Sequence, residues 1–83
     1  MNAEEMFKEL GYEKTYDGDY SIIYTKKAIG EDRFEIEFFK MVNSKQFRCR
    51  LVNELEEKGQ QPFYVDMKEL QAINKQCEEL GWC

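Results

Sequence analysis

The sequence predicts an α+β fold: a short N-terminal helix, a four-stranded antiparallel β-meander and a C-terminal helix packed on one sheet face. Three observations predict it. Apolar residues recur at helical spacing only near the two ends, at Met6, Phe7 and Leu10 and again at Met67, Leu70, Ile73, Cys77 and Leu80. Between these ends apolar and polar residues alternate with period two. The 83 residues are 42% apolar and 35% charged, enough for one core and too few for two, so 1–83 reads as a single domain.

The first helix is bounded by its own chemistry. Asn2 is a capping residue and Glu5 follows three positions later, as in a capping box. Gly11 supplies the left-handed residue that ends a helix, and Tyr12 can fold back onto the last turn. Residues 3–10 therefore read as a helix too short to persist without tertiary packing. The last segment repeats the design. Asp66 caps, Glu69 stands at the third helical position, Val65 and Leu70 are placed as a hydrophobic staple, and Gly81-Trp82 closes the end. The stripe from Met67 to Leu80 is expected to cover the sheet.

In the meander, Tyr20, Ile22 and Tyr24 alternate with Ser21, Ile23 and Thr25, and Asp17-Gly18 signals a hairpin of two or three loop residues. Ala28 to Asp32, containing Gly30, reads as a connection. Phe34, Ile36 and Phe38 alternate with Arg33, Glu35 and Glu37. After Asn43-Ser44, Phe47, Cys49 and Leu51 alternate with Arg48, Arg50 and Val52. A symmetric turn at Asn43-Ser44 sets Phe38 opposite Cys49, Ile36 opposite Leu51 and, on the other face, Glu37 opposite Arg50. Two readings of residues 53–65 stand side by side. Either Lys58-Gly59-Gln60 turns back into a fifth, edge strand at Phe63–Val65, or a helical turn at Glu54–Lys58 leads into a loop.

Composition excludes several function classes. The formal charge is −5, distributed as −2 over residues 1–11, +1 over 12–52 and −4 over 53–83. An acidic chain repels phosphate backbones, so nucleic acid is an unfavoured partner. There is no histidine, which removes the commonest general base and metal ligand. Cys49, Cys77 and Cys83 are odd in number and match no zinc or disulfide spacing. No run of roughly 20 apolar residues is present to span a membrane, and no leader-like pattern opens the chain, so a cytoplasmic protein with reduced thiols is expected. Asp17-Gly18-Asp19 is a fragment of a calcium loop that a hairpin turn explains more simply. Glu56-Glu57 and Glu78-Glu79 read as solvated charge. No catalytic, metal or cofactor site is assigned, and the chain is not expected to be an enzyme.

The ends of the chain, Met-Asn-Ala-Glu-Glu-Met-Phe-Lys-Glu-Leu-Gly-Tyr and Met67 through Trp82, resemble small uncharacterised proteins of prophages and other mobile elements in Gram-positive gut bacteria. The resemblance spans the two terminal helices and, in outline, the hairpins between them. It implies a bacterial accessory protein and carries over no functional residue.

The expected function is protein–protein contact, with a second copy or another protein as partner. The candidate interface comprises Phe39, Met41, Arg48, Arg50 and Val52, with Trp82 as either an anchor or helix-end packing. The rival reading is single-stranded nucleic-acid binding by Tyr12, Tyr16, Tyr20, Tyr24 and Phe39 among Lys14, Lys26, Lys27, Lys40, Lys45, Arg48 and Arg50.

Overall fold

Two helices and four strands form in the predicted order in a computed structural model that describes residues 1–28, 30–41, 45–53 and 64–82. They are α1 (Ala3–Glu9), β1 (Glu13–Asp17), β2 (Ser21–Lys27), β3 (Asp32–Phe39), β4 (Gln46–Asn53) and α2 (Met67–Glu79). The sheet is an antiparallel meander in the order β1-β2-β3-β4. The proposed turn or fifth strand within 54–63 lies outside the described residues, while Tyr64 and Val65 are not in a strand.

Both helices begin and end as their local chemistry dictates. Asn2 and Asp66 each accept from the backbone N–H three residues on, and Glu5 and Glu69 reach back to the capping residue's own N–H. At the other ends, Gly11 and Gly81 take φ of 94° and 77°. The N–H groups of Tyr12 and Trp82 bond the carbonyls of Phe7 and Cys77, and those of Gly11 and Gly81 bond Lys8 and Glu78. This double bond pattern is the same stop used twice. The second helix also helps to cap the first, since the N–H of Ala3 donates to Glu79 Oε2 at 2.6 Å. Glu79 is exposed, as its sequence position suggests, and serves as this cap as well.

The core lies between the helices and the sheet face carrying Ile22, Tyr24, Ile36 and Phe38. Phe7 of α1 sits at its centre, stacked on Tyr24 at 4.0 Å and edge-on to Tyr12 and Phe38. Ala72 and Ile73 of α2 complete it. Cys49 faces inward beside Ile36, as expected of a small core residue.

Three expectations require correction. First, the β3–β4 register is displaced by two residues. Ile36 faces Cys49, Phe38 faces Phe47, Glu35 faces Arg50 and Glu37 faces Arg48. The expected turn at Asn43-Ser44 itself lies outside the described residues. A two-residue shift keeps every side chain on its predicted face. It also converts one Glu–Arg cross-strand pair into two and adds the Phe38–Phe47 ring contact at 5.8 Å, which is why this register is preferred.

Second, the first hairpin turns at Asp19-Tyr20, because Gly18 N–H bonds Ser21 O and Asp17 faces Ile22. Tyr20 consequently projects from the turn, 71% exposed, rather than joining Ile22 and Tyr24. Lys40 ties this turn down: its Nζ donates to Asp17 Oδ1 and Gly18 O, both at 2.9 Å. A bulge at Thr15 breaks the β1 edge and, with Lys14 paired to Glu4, makes it a poor template for a further strand.

Third, α2 is rotated about its axis. Ile73 is buried and Cys77 and Leu80 pack against the core, but Met67 is 69% and Leu70 38% exposed. The buried positions are Glu69, Ala72, Ile73 and Gln76. The reason is polar. Tyr12 Oη donates to Glu69 Oε2 and Tyr24 Oη to Gln76 Oε1, each at 2.6 Å. Two buried hydroxyls need acceptors, and Glu69 and Gln76 stand seven residues apart on one helical face.

Candidate functional site

Both helices lie on one side of the sheet. Among the described residues neither covers the opposite face of β3 and β4. There the strand alternation places Arg33, Glu35, Glu37 and Phe39 on β3 beside Arg48, Arg50 and Val52 on β4.

The two carboxylates of this face are sequestered: Glu35 is 5% and Glu37 9% exposed. A carboxylate so far removed from water must be paired. Arg48 meets Glu37 Oε1 through Nε at 3.0 Å and Nη2 at 2.8 Å. Arg50 does the same to Glu35 Oε1, with Nε at 2.9 Å and Nη2 closer still. Arg33 approaches the other oxygen of Glu35, Oε2, at 3.9 Å. Beyond its ion pair, the Arg48 guanidinium lies 5.3 Å from the centre of the Phe39 ring. The result is a row of guanidiniums held flat by carboxylates, with Phe39 at one end and Val52 near the other.

Of the predicted interface residues, the structure brings Phe39, Arg48, Arg50 and Val52 onto this one face. Met41 is exposed just beyond the end of β3. Trp82 does not join them. It packs from the helical side, its ring 6.4 Å from Phe38, in the helix-end role that its bond to Cys77 O dictates. The aromatic platform of the rival reading is divided as well. Tyr12 and Tyr24 are core residues whose hydroxyls are engaged, so they are closed to stacking with a base. Burial, reinforced for Tyr12 by the bond to Glu69, pushes both phenols above the ordinary tyrosine range. Tyr16 and Tyr20 remain exposed.

Asp17, from the calcium-loop fragment, is committed to ammonium groups. The Lys40 hydrogen bond holds its carboxyl below the usual range, with Lys14 contributing. Burial pushes the Cys49 thiol up to about 11, with the nearby Glu69 charge adding to it, which is the opposite of what a reactive cysteine needs. Sequence reasoning missed the buried state of Glu35 and Glu37. The available signal was two acidic residues, spaced by two, facing two arginines spaced by two.

Comparison with protein-family models, with curated proteins and with solved structures returned no match for this chain.

Proposed function

We propose that the protein acts by protein–protein contact through the uncovered face of β3 and β4, with a second copy of the chain as partner, and that it is not an enzyme. The observation that supports this reading is the ladder of Arg48–Glu37 and Arg50–Glu35 beside Phe39 and Val52. Arginine and aromatic side chains are the groups that anchor interfaces. Here the Arg48 and Arg50 guanidiniums are already paired and oriented, so a partner that buries them freezes few rotamers. Pairing of Arg48 and Arg50 with the two buried carboxylates also lowers the repulsion between two copies that meet face to face. The resemblance of the terminal helices to proteins of mobile elements is compatible with a cytoplasmic bacterial accessory role.

Size-exclusion chromatography with light scattering at about 100 μM protein, a concentration that populates dimers of micromolar affinity, tests the proposal. The expected mass is twice 10.0 kDa. Phe39→Gln and Val52→Glu, both on the uncovered face, return the mass to that of one chain while the far-ultraviolet circular dichroism spectrum remains that of the folded protein. A wild-type chain that runs as a monomer, and that captures no stoichiometric protein partner from its native host, overturns the proposal.

A further inference from the structure

The sheet surface that carries the arginine ladder continues across β1 and β2, where strand pairing sets its side chains in rows. Tyr16, Ile23, Glu37 and Arg48 form one row, and Glu13, Thr25, Glu35 and Arg50 form the next. Beyond the first row, towards the hairpin turn, Ser21 stands opposite Phe39. Tyr16 is half-exposed, and its ring lies over Gly18, where any Cβ would collide with the phenol. Arg48 is held by Glu37 and by the Phe39 ring, yet its side chain is still 43% exposed. Glu13 is exposed and has no ion-pair partner among the described residues. One edge strand therefore offers a flat ring and an uncompensated carboxylate, and the other offers two arginines.

We propose that two copies of the chain pack these faces together about a two-fold axis running along the strands between β2 and β3, so that β1 of each copy covers β4 of the other. The inference rests on the homodimer reading above and fixes its geometry. Two identical sheets that face each other with aligned strands have their axis in the plane between them, either across the strands or along them. An axis across the strands sets each strand on its own copy. The charged outer positions of β4 are both arginines, Arg48 and Arg50, so they would meet the partner's arginines, and Glu35 and Glu37 would meet its glutamates. Like charges so placed oppose association. An axis along the strands, over the centre of the sheet, instead exchanges β1 with β4 and β2 with β3, and each row faces its own reverse. Glu13 meets the partner's Arg50, an opposite charge. Tyr16 meets the partner's Arg48, which closes that guanidinium between two aromatic rings. Phe39 meets the partner's Ser21, a large side chain against a small one, so the faces interdigitate. Each contact occurs twice. Area selects the same axis. Four strands about 4.8 Å apart and up to eight residues long present roughly 500 Å2 per copy, so the roughly 1,000 Å2 of a specific interface is approached only when all four are covered. Like meets like only in the end row, where Lys27 faces the partner's Arg33. There Arg33 is paired with Glu35, and Lys27 is the exposed last residue of β2, with water to turn to.

Isotope-filtered nuclear Overhauser spectroscopy on an equal mixture of 13C-labelled and unlabelled wild-type chain reads contacts between copies alone and tests the axis without a mutation. Contacts from the Tyr16 ring to the Cδ protons of the partner's Arg48, and from the Phe39 ring to the Cβ protons of the partner's Ser21, are expected. Sedimentation equilibrium gives the matching affinities. Glu13→Arg weakens the dimer about tenfold, because each dimer loses that ion pair twice. Tyr16→Ser weakens it as well, and Lys75→Gln on α2 leaves it unchanged. A dimer whose filtered contacts join Arg48 to the partner's Arg50, or one that Glu13→Arg leaves as tight as wild type, overturns this axis and leaves the homodimer standing. A wild-type chain that stays monomeric overturns both.

Discussion

The Tyr24–Gln76 bond offers a direct test of why α2 sits as it does. Tyr24 is wholly buried, Gln76 is 4% exposed, and the phenol donates to the amide oxygen at 2.6 Å. Tyr24→Phe removes the donor and leaves a buried carbonyl oxygen without its partner. A neutral group stranded in this way costs about 1–3 kcal/mol. Gln76→Leu strands the hydroxyl instead and costs a similar amount. The double variant removes both polar groups while keeping their approximate volumes, so its stability falls within about 1 kcal/mol of wild type. A chain of this length has a total stability of roughly 4–12 kcal/mol. Each single variant therefore loses a large fraction of it and melts lower by about 4–8 °C per kcal/mol. Urea unfolding followed by Trp82 fluorescence and by circular dichroism measures all four corners of the cycle. If the double variant loses the sum of the two single losses, the residues do not couple and the polar account of the helix rotation fails. The Tyr12–Glu69 pair is expected to behave differently. Glu69 also closes the α2 capping box through Asp66 N–H, so replacing both Tyr12 and Glu69 with apolar residues is not neutral.

Gly11→Ala destabilises by about 1–2 kcal/mol from left-handed strain, and by more than Gly81→Ala, because a Cβ at Gly11 also crowds Lys26 while one at Gly81 meets nothing; thermal melts of the two variants decide this. Cys49, with its thiol raised from 9.0 to about 11, should alkylate with iodoacetamide at pH 8 about a hundredfold more slowly in the folded than in the unfolded chain, read by peptide mass spectrometry. Equal rates would contradict its placement under the sheet. Tyr12 and Tyr24 have folded pKa values above their unfolded ones, so their contribution to stability is complete below about pH 10 and is lost as pH rises beyond it. Their tyrosinate absorbance at alkaline pH should appear only together with loss of the circular dichroism signal. Asp17 has the opposite sign: its folded pKa is depressed, so its contribution holds above the ordinary carboxylate pKa of about 4 and disappears as pH falls through the folded value. The stability gap between wild type and Asp17→Asn should therefore close in acid.

The parts of this fold that were legible in the chain are those with local causes. A capping side chain, an acidic residue three positions later and a glycine at the far end act within a turn of helix, so both helices could be bounded from their own residues. Period-two alternation likewise assigned Ile36, Phe38, Cys49 and Leu51 to the inner face, and that assignment survives a register shift of two because the pleat repeats every two residues. The candidate interface was partly legible for the same reason: Phe39, Arg48, Arg50 and Val52 share a face by parity alone. Trp82 could not be placed by parity, because its position depends on where α2 ends over the sheet.

What the chain by itself determined, then, is which segments become helix or strand, where the helices stop and which face of each strand is apolar. Tertiary structure alone decided the β3–β4 register, which gains an added ion pair and an aromatic contact. It alone turned Glu69 and Gln76 inward, since an apolar stripe cannot reveal that two tyrosine hydroxyls from distant strands need acceptors beneath them. It also made Glu35 and Glu37 buried residues. Each of these outcomes depends on the partner across the sheet or across the core, and the identity of that partner is absent from any local window of the chain.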